Sequence, residues 1–180
     1  MPVKIEYIEK LLHVTPLPVY LTFICIAVLC IVIAISVKGV RGGAKVSSII
    51  LAVLYGFIVI CTTVVCRHSY SGRGIIYVPF WSYIAIINGK LSLIEENIMN
   101  VIAFLPLGLF VSIGIRKLKW WHTAIVGFCL SVAIELMQYY FEKGQCEIDD
   151  VIHNTLGCVI GYYIVKVAFK SFRRYSQDEL

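Results

Sequence analysis

Five apolar runs, each long enough to cross a bilayer, decide what this chain can fold into. They are Leu17 to Val37, Val46 to Cys66, Asn97 to Ile115, Trp121 to Phe141 and Val151 to Phe169. At 1.5 Å per residue, a helix of about 20 residues covers the roughly 30 Å of hydrocarbon in a membrane. A span in lipid must satisfy its own backbone polar groups, so these runs predict helices. The expected fold class is all-α, a polytopic transmembrane helical bundle of about five spans. A further apolar stretch, residues 75–87, is too short to cross and contains Pro79, Phe80, Trp81 and Tyr83. That mixture suits the membrane interface, and an interfacial segment within a long loop is expected there.

Composition supports this reading where it bears on domain count. The chain is 59% hydrophobic and 15% charged, well below the roughly 25% charged residues of a soluble domain. No internal repeat or linker divides it, so residues 1–180 read as a single membrane domain. The formal net charge of +5 does not form a basic stripe with interleaved aromatics, and no nucleic-acid partner is expected. Lys and Arg fall in short connections instead, where they set orientation. Nine lie in the connection 38–45, the connection 116–120 and the tail from Lys170, against six in the connections facing the other way. The positive-inside rule then predicts a multi-pass cell-membrane protein with its N-terminus outside and its C-terminus in the cytoplasm.

The seven cysteines form no C-x-x-C pair, and most fall inside apolar runs, where Cys behaves as a small hydrophobe. His68, His153 and Cys146 have no zinc-ligand spacing, so neither a metal nor a cofactor is expected.

Polar groups within the spans carry the functional signal, because an unpaired amide or acid in a membrane costs several kcal/mol. The first two runs contain no acidic, basic or amide side chain and read as scaffold. Asn97 and Asn100 share a face at the start of the third run, which Pro106 interrupts and should kink. Ser131, Glu135 and Gln138 lie on one stripe near the end of the fourth. Asp149 and Asp150 precede the fifth, and Asn154, Gly157 and Gly161 follow along one face. In an alternating topology these three helix ends share one side of the membrane, so the groups can meet in one layer roughly 5–9 Å deep. The predicted orientation places that layer in the outer leaflet. One of Asp149 and Asp150 can serve simply as the helix cap. Glu135, an acid within a span, is read first as a functional group, with a structural hydrogen bond to Gln138 or Asn154 as the alternative.

Four motifs in order give the chain a resemblance. They are PFWSY at Pro79 to Tyr83, NIMNVIAFLPLG at Asn97 to Gly108, IELMQ at Ile134 to Gln138, and EIDDVIHNTLGCVIGY at Glu147 to Tyr162. Together they resemble the VanZ-like family of bacterial membrane proteins over about residues 46–169. The resemblance puts the family's F-x-P-x-G on Phe104, Pro106 and Gly108, and its E-x-x-Q on Glu135 and Gln138. Its D-D-x-x-x-N-x-x-G falls on Asp149, Asp150, Asn154 and Gly157. The chain departs from the family in two places. Lys143 is the only nearby cation in sequence where the family has an Arg before the acids, and no Asn precedes the PF pair.

The residues suggest a binding protein. Its polar cluster would be Asn97, Asn100, Glu135, Gln138, Asp149, Asp150 and Asn154, covered by Pro79, Phe80 and Trp81. Helix packing would rest on Pro106, Gly108, Gly157 and Gly161. The expected partner is a membrane lipid or a lipid-linked envelope precursor. The resemblance adds a link to glycopeptide resistance of the teicoplanin type, with a glycopeptide as another expected partner. The rival expectation is a membrane enzyme using paired carboxylates, Glu135 with Asp149 or Asp150, on a lipid-linked substrate. No group that would orient a nucleophile is evident in the sequence.

Overall fold

The computed structural model describes residues 43–65, 67, 74–115 and 117–178. The first apolar run, Leu17 to Val37, lies outside the described residues, as do Cys66 and His68. Four described helices are long and apolar enough to cross a membrane. They are α1 (Gly43–Ile60), α3 (Ser92–Gly114), α4 (Trp120–Tyr140) and α5 (Ile148–Asp178). A short helix, α2 (Trp81–Ile87), precedes α3 within the stretch expected at the interface. Two-residue strands, β1 (Ile75–Ile76) and β2 (Cys146–Glu147), pair in parallel and join the loop before α2 to the loop before α5.

Two helices outrun their apolar segments, because hydropathy marks only the part immersed in lipid. Helix α3 begins before Asn97, where Glu95 in its first turn complements the positive end of the helix dipole. Helix α5 begins at Ile148 with Asp149 and Asp150 in its first turn and continues to Asp178. Its 31 residues would measure about 46 Å, more than the hydrocarbon needs.

Helix α3 packs between α1 and α5, and α5 packs in turn against α4. Lipid offers no hydrophobic drive for two helices to meet, so close backbone approach must supply the contact. Glycines open that approach along the α3–α5 seam. A Cβ on Gly157 would overlap the Val101 carbonyl, one on Gly161 the Leu105 carbonyl, and one on Gly108 the Cys158 carbonyl. From α4, Gly127 faces the same Cys158, whose Sγ would lie 2.8 Å from an added Cβ. Large side chains fill the remaining core, among them Tyr55, Phe104, Phe110, Ile113 and Ile134. Val53 and Phe57 of α1, Phe128 and Leu136 of α4, and Leu156 and Val167 of α5 point outward, as suits a lipid-facing surface.

Helix α3 runs through Pro106 as one element. Proline has no N–H for the carbonyl one turn back, and side chains from other helices bond to this turn. Tyr55 Oη donates to the Ala103 carbonyl at 2.7 Å, and Cys158 Sγ donates to the Phe104 carbonyl at 3.4 Å. Helix α1 ends in a wider π turn at Cys61–Val65. There the Thr62 and Thr63 hydroxyls donate back to the Val59 carbonyl, at 3.0 and 2.7 Å. Such hydroxyl bonds compete with the regular helical pattern.

Candidate functional site

At the end of the bundle where α1 and α4 finish and α3 and α5 begin, loop and helix residues form one polar layer. Its most connected member is Asp149, 1% exposed in the first turn of α5. Its carboxylate accepts from the Phe80 N–H at 2.5 Å, the Ser82 N–H at 2.9 Å and the Ser82 hydroxyl at 2.6 Å. Asn97 Nδ2 of α3 donates to the same hydroxyl at 3.1 Å. Helix α2 has no side-chain cap from its own N-cap residue, Phe80, which is left-handed at φ 63°. Asp149 fills that role from another element, satisfying amides that the start of any helix leaves open. Asn97, Ser82 and Asp149 thus pin the interfacial segment to α3 and α5.

Glu135 has a different partner. The residue is 2% exposed, and its Oε2 accepts from the Glu147 N–H at 2.9 Å. This bond ties α4 to the β2 strand. Asn154 pairs instead with Ser131, its Nδ2 donating to the hydroxyl at 2.8 Å. Gln138 Nε2 donates to the Thr63 carbonyl at 3.1 Å, in the π turn that ends α1. Three polar positions on the α4 stripe therefore reach three different elements, which the sequence pattern could not specify. Asn100 is half-buried, and its Nδ2 has no partner among the described residues.

The charge balance of the layer departs from the expectation based on Lys143. That side chain donates to the Arg67 carbonyl at 2.9 Å. The cation acting on the acids is Arg67, whose guanidinium opposes the charge of Glu147. Gly144 makes room for it: an added Cβ there would lie 3.3 Å from Arg67 Nη1 and 3.7 Å from Gln138 Oε1. Burial first, and then the Glu96 carboxylate, push Glu147 up from 4.5 to about 7. The Trp81 indole works the other way by favouring the charged form, although its Nε1 has no partner within hydrogen-bond distance among the described residues. Burial also raises the Cys146 thiol, followed by the nearby Glu135, Glu147 and Asp150 carboxylates.

Glu96, Glu147, Arg67 and Ser82 were therefore missing from the sequence-derived cluster. Ser82 and Glu147 had a signal there, as parts of the PFWSY and EIDDVIHNTLGCVIGY motifs. Beside the layer, Tyr83 Oη lies 2.9 Å from Nε2 of the buried His153. No three His, Cys, Asp or Glu side chains among the described residues are placed to hold a metal ion. Pro79 and Phe80 are exposed beside the half-buried Trp81.

Helices of this length and polarity, with a buried acid and amide layer at one end, define a polytopic helical membrane protein. The VanZ/LLP1 family model matches residues 46–169, and the chain belongs to that family. It is similar to Protein VanZ of Enterococcus faecium, with 29% identity over 86 residues. That alignment covers 48% of this chain and 53% of VanZ, so the chain spans about half the length of this relative. No solved structure matches it.

Proposed function

We propose that this protein binds the polar part of a lipid or lipid-linked cell-surface molecule in the layer formed by α3, α4 and α5. In this reading the N-terminus is outside, the C-terminus is cytoplasmic and the layer lies in the outer leaflet. One observation carries the proposal: buried amides at Gln138 and Asn154 sit near the acids with an oxygen each left without a donor among the described residues. Native interiors satisfy almost all such atoms, so open acceptors near the head-group region are suited to a polar ligand. Ser131 supports binding over acyl transfer, because its hydroxyl accepts from Asn154 and no base among the described residues is bonded to it. The exposed ring of Phe80 and the half-buried Trp81 would cover the ligand from the membrane surface.

The test uses bacterial cells making wild type or Glu135→Gln at matched membrane levels. Teicoplanin and envelope-stress sensitivity are the readouts, chosen from the resemblance to the family's namesake. A phenotype present with wild type and absent with Glu135→Gln is expected. A phenotype that survives the substitution would make Glu135 solely the acceptor that holds β2.

A further inference from the structure

The layer contains more negative charge than its cation balances. Glu96 and Asp149 act on Glu147 with Arg67 opposing them, while Glu135, Glu147 and Asp150 surround Cys146. Asp149 is saturated by the start of α2, and Glu135 accepts one backbone amide. Glu96, Glu147 and Asp150 add three carboxyl groups to the same region. Glu96 is exposed, but Glu147 and Asp150 are half-buried and Glu135 is buried, and like charges held partly out of water are unfavourable unless a cation or protons accompany them.

The open amide oxygens are an independent indication of a missing donor. Gln138 and Asn154 are each 4% exposed. Each uses its nitrogen, on the Thr63 carbonyl and the Ser131 hydroxyl, and each leaves its oxygen unpartnered among the described residues. Gln138 Oε1 faces the Gly144 turn, where the Arg67 guanidinium also lies. Asn154 stands one turn beyond Asp150, beside the residue one turn before Glu135. Among the described residues, the unpartnered donors of the layer, Trp81 Nε1 on α2 and Asn100 Nδ2 on α3, are on other elements, while the open atoms on α4 and α5 beside the acids are the two acceptors. A metal ion would need several ligands converging on one point, which the carboxylates among the described residues do not provide. An ammonium group presents three donors and a full positive charge, and it needs only one or two of these acids with an amide oxygen.

We propose that this layer binds a primary ammonium group carried by a phospholipid head group or an amino sugar. This inference rests on the binding function proposed above and specifies the chemistry recognised. The ammonium nitrogen donates to the Gln138 or Asn154 amide oxygen and to the facing carboxylates, while Arg67 stays at the rim. Neutralising the amine by acetylation removes both the charge and two of the donors, so the acetylated analogue is the matched control.

The full chain is reconstituted in nanodiscs containing equal parts of phosphatidylethanolamine, N-acetyl-phosphatidylethanolamine and phosphatidylglycerol. Lipids remaining after gentle detergent extraction are quantified by mass spectrometry. The amino lipid should exceed its N-acetyl analogue by about tenfold, the scale of one charge-assisted hydrogen bond. Glu135→Gln and Asp150→Asn should abolish the preference, whereas Glu95→Gln, at an exposed acid in the first turn of α3, should keep it. A parallel arm adds glucosamine or N-acetylglucosamine. Displacement by glucosamine alone assigns the site to an amino sugar, and a preference that resists both sugars assigns it to the phospholipid. The comparison of lipids on the wild-type chain does not depend on any variant folding. Equal retention of amine and N-acetyl lipid would overturn the ammonium and leave the binding function standing. No lipid retained above a control membrane protein, with no effect of either sugar, would overturn both.

Discussion

Asp149 and Glu135 are both buried carboxylates, yet their bonds give them different work. Asp149 fastens α2, so Asp149→Ala should leave the Phe80 and Ser82 amides without an acceptor. Each orphaned buried donor costs about 1–3 kcal/mol, and the loss should appear as a lower unfolding temperature and faster proteolysis between residues 74 and 91. Unchanged proteolysis would refute Asp149 as the anchor. Glu147 makes a separate prediction through pH. Burial and Glu96 hold its carboxyl at about 7 in the folded chain, against an ordinary 4.5. A folded-state value above the unfolded one means that its stabilising contribution is complete below 4.5 and is lost as pH rises through about 7. The ligand-free protein in detergent should therefore lose thermal stability from about pH 5 to about pH 8. Glu147→Gln should weaken that fall, and an equally steep fall in the variant would assign it to other groups. The division of labour between neighbouring acids was not legible in the sequence. Asp149 and Asp150 differ through where the amides of α2 dock, which a chain closure from Phe80 to Asp149 decides.

At the scale of elements, the spacing of small and polar residues was more informative. The steps from Ser131 to Glu135 to Gln138 placed one polar stripe on α4, and all three are buried. The partners of that stripe were illegible because they come from the π turn, β2 and α5. Arg67 was illegible for a related reason: a count of loop cations treats it as an orientation charge and says nothing of where the loop returns. The α3–α5 seam gives a comparison within one residue type. Gly157→Ala would drive a Cβ into the Val101 carbonyl, whereas an added Cβ on Gly56 of α1 would lie 3.7 Å from Leu130 Cδ2, an ordinary contact. Overpacking of this kind costs about 1–3 kcal/mol, while alanine in an open helical position gains roughly 0.5–1 kcal/mol over glycine. Thermal unfolding in detergent should show Gly157→Ala destabilised and Gly56→Ala unchanged or stabilised. Equal behaviour of the two would mean that α3 and α5 do not approach as closely as the seam requires.

For the whole molecule, the functional argument depends on which side of the membrane the polar layer faces. The joining of the loops before α2 and α5 through β1 and β2 puts the acids at one end of the bundle however the chain is inserted. Orientation comes from charge alone: nine Lys and Arg residues in the connections assigned inside and six in those assigned outside. Fusions after Leu180 test it directly. Green fluorescent protein there should fluoresce and alkaline phosphatase should be inactive, as a cytoplasmic C-terminus requires. An epitope inserted between Glu142 and Lys143, in the turn leading to Gly144 and the acid layer, should bind antibody on intact cells. The two readouts must agree, because α5 separates them by one crossing. The reverse pattern would place Glu135 and Asp150 in the cytoplasmic leaflet. A cell-surface ligand would then have no access, although an amino phospholipid of the inner leaflet would still reach the layer. Orientation therefore separates a protein acting on envelope precursors or antibiotics from one that senses the lipids of its own membrane.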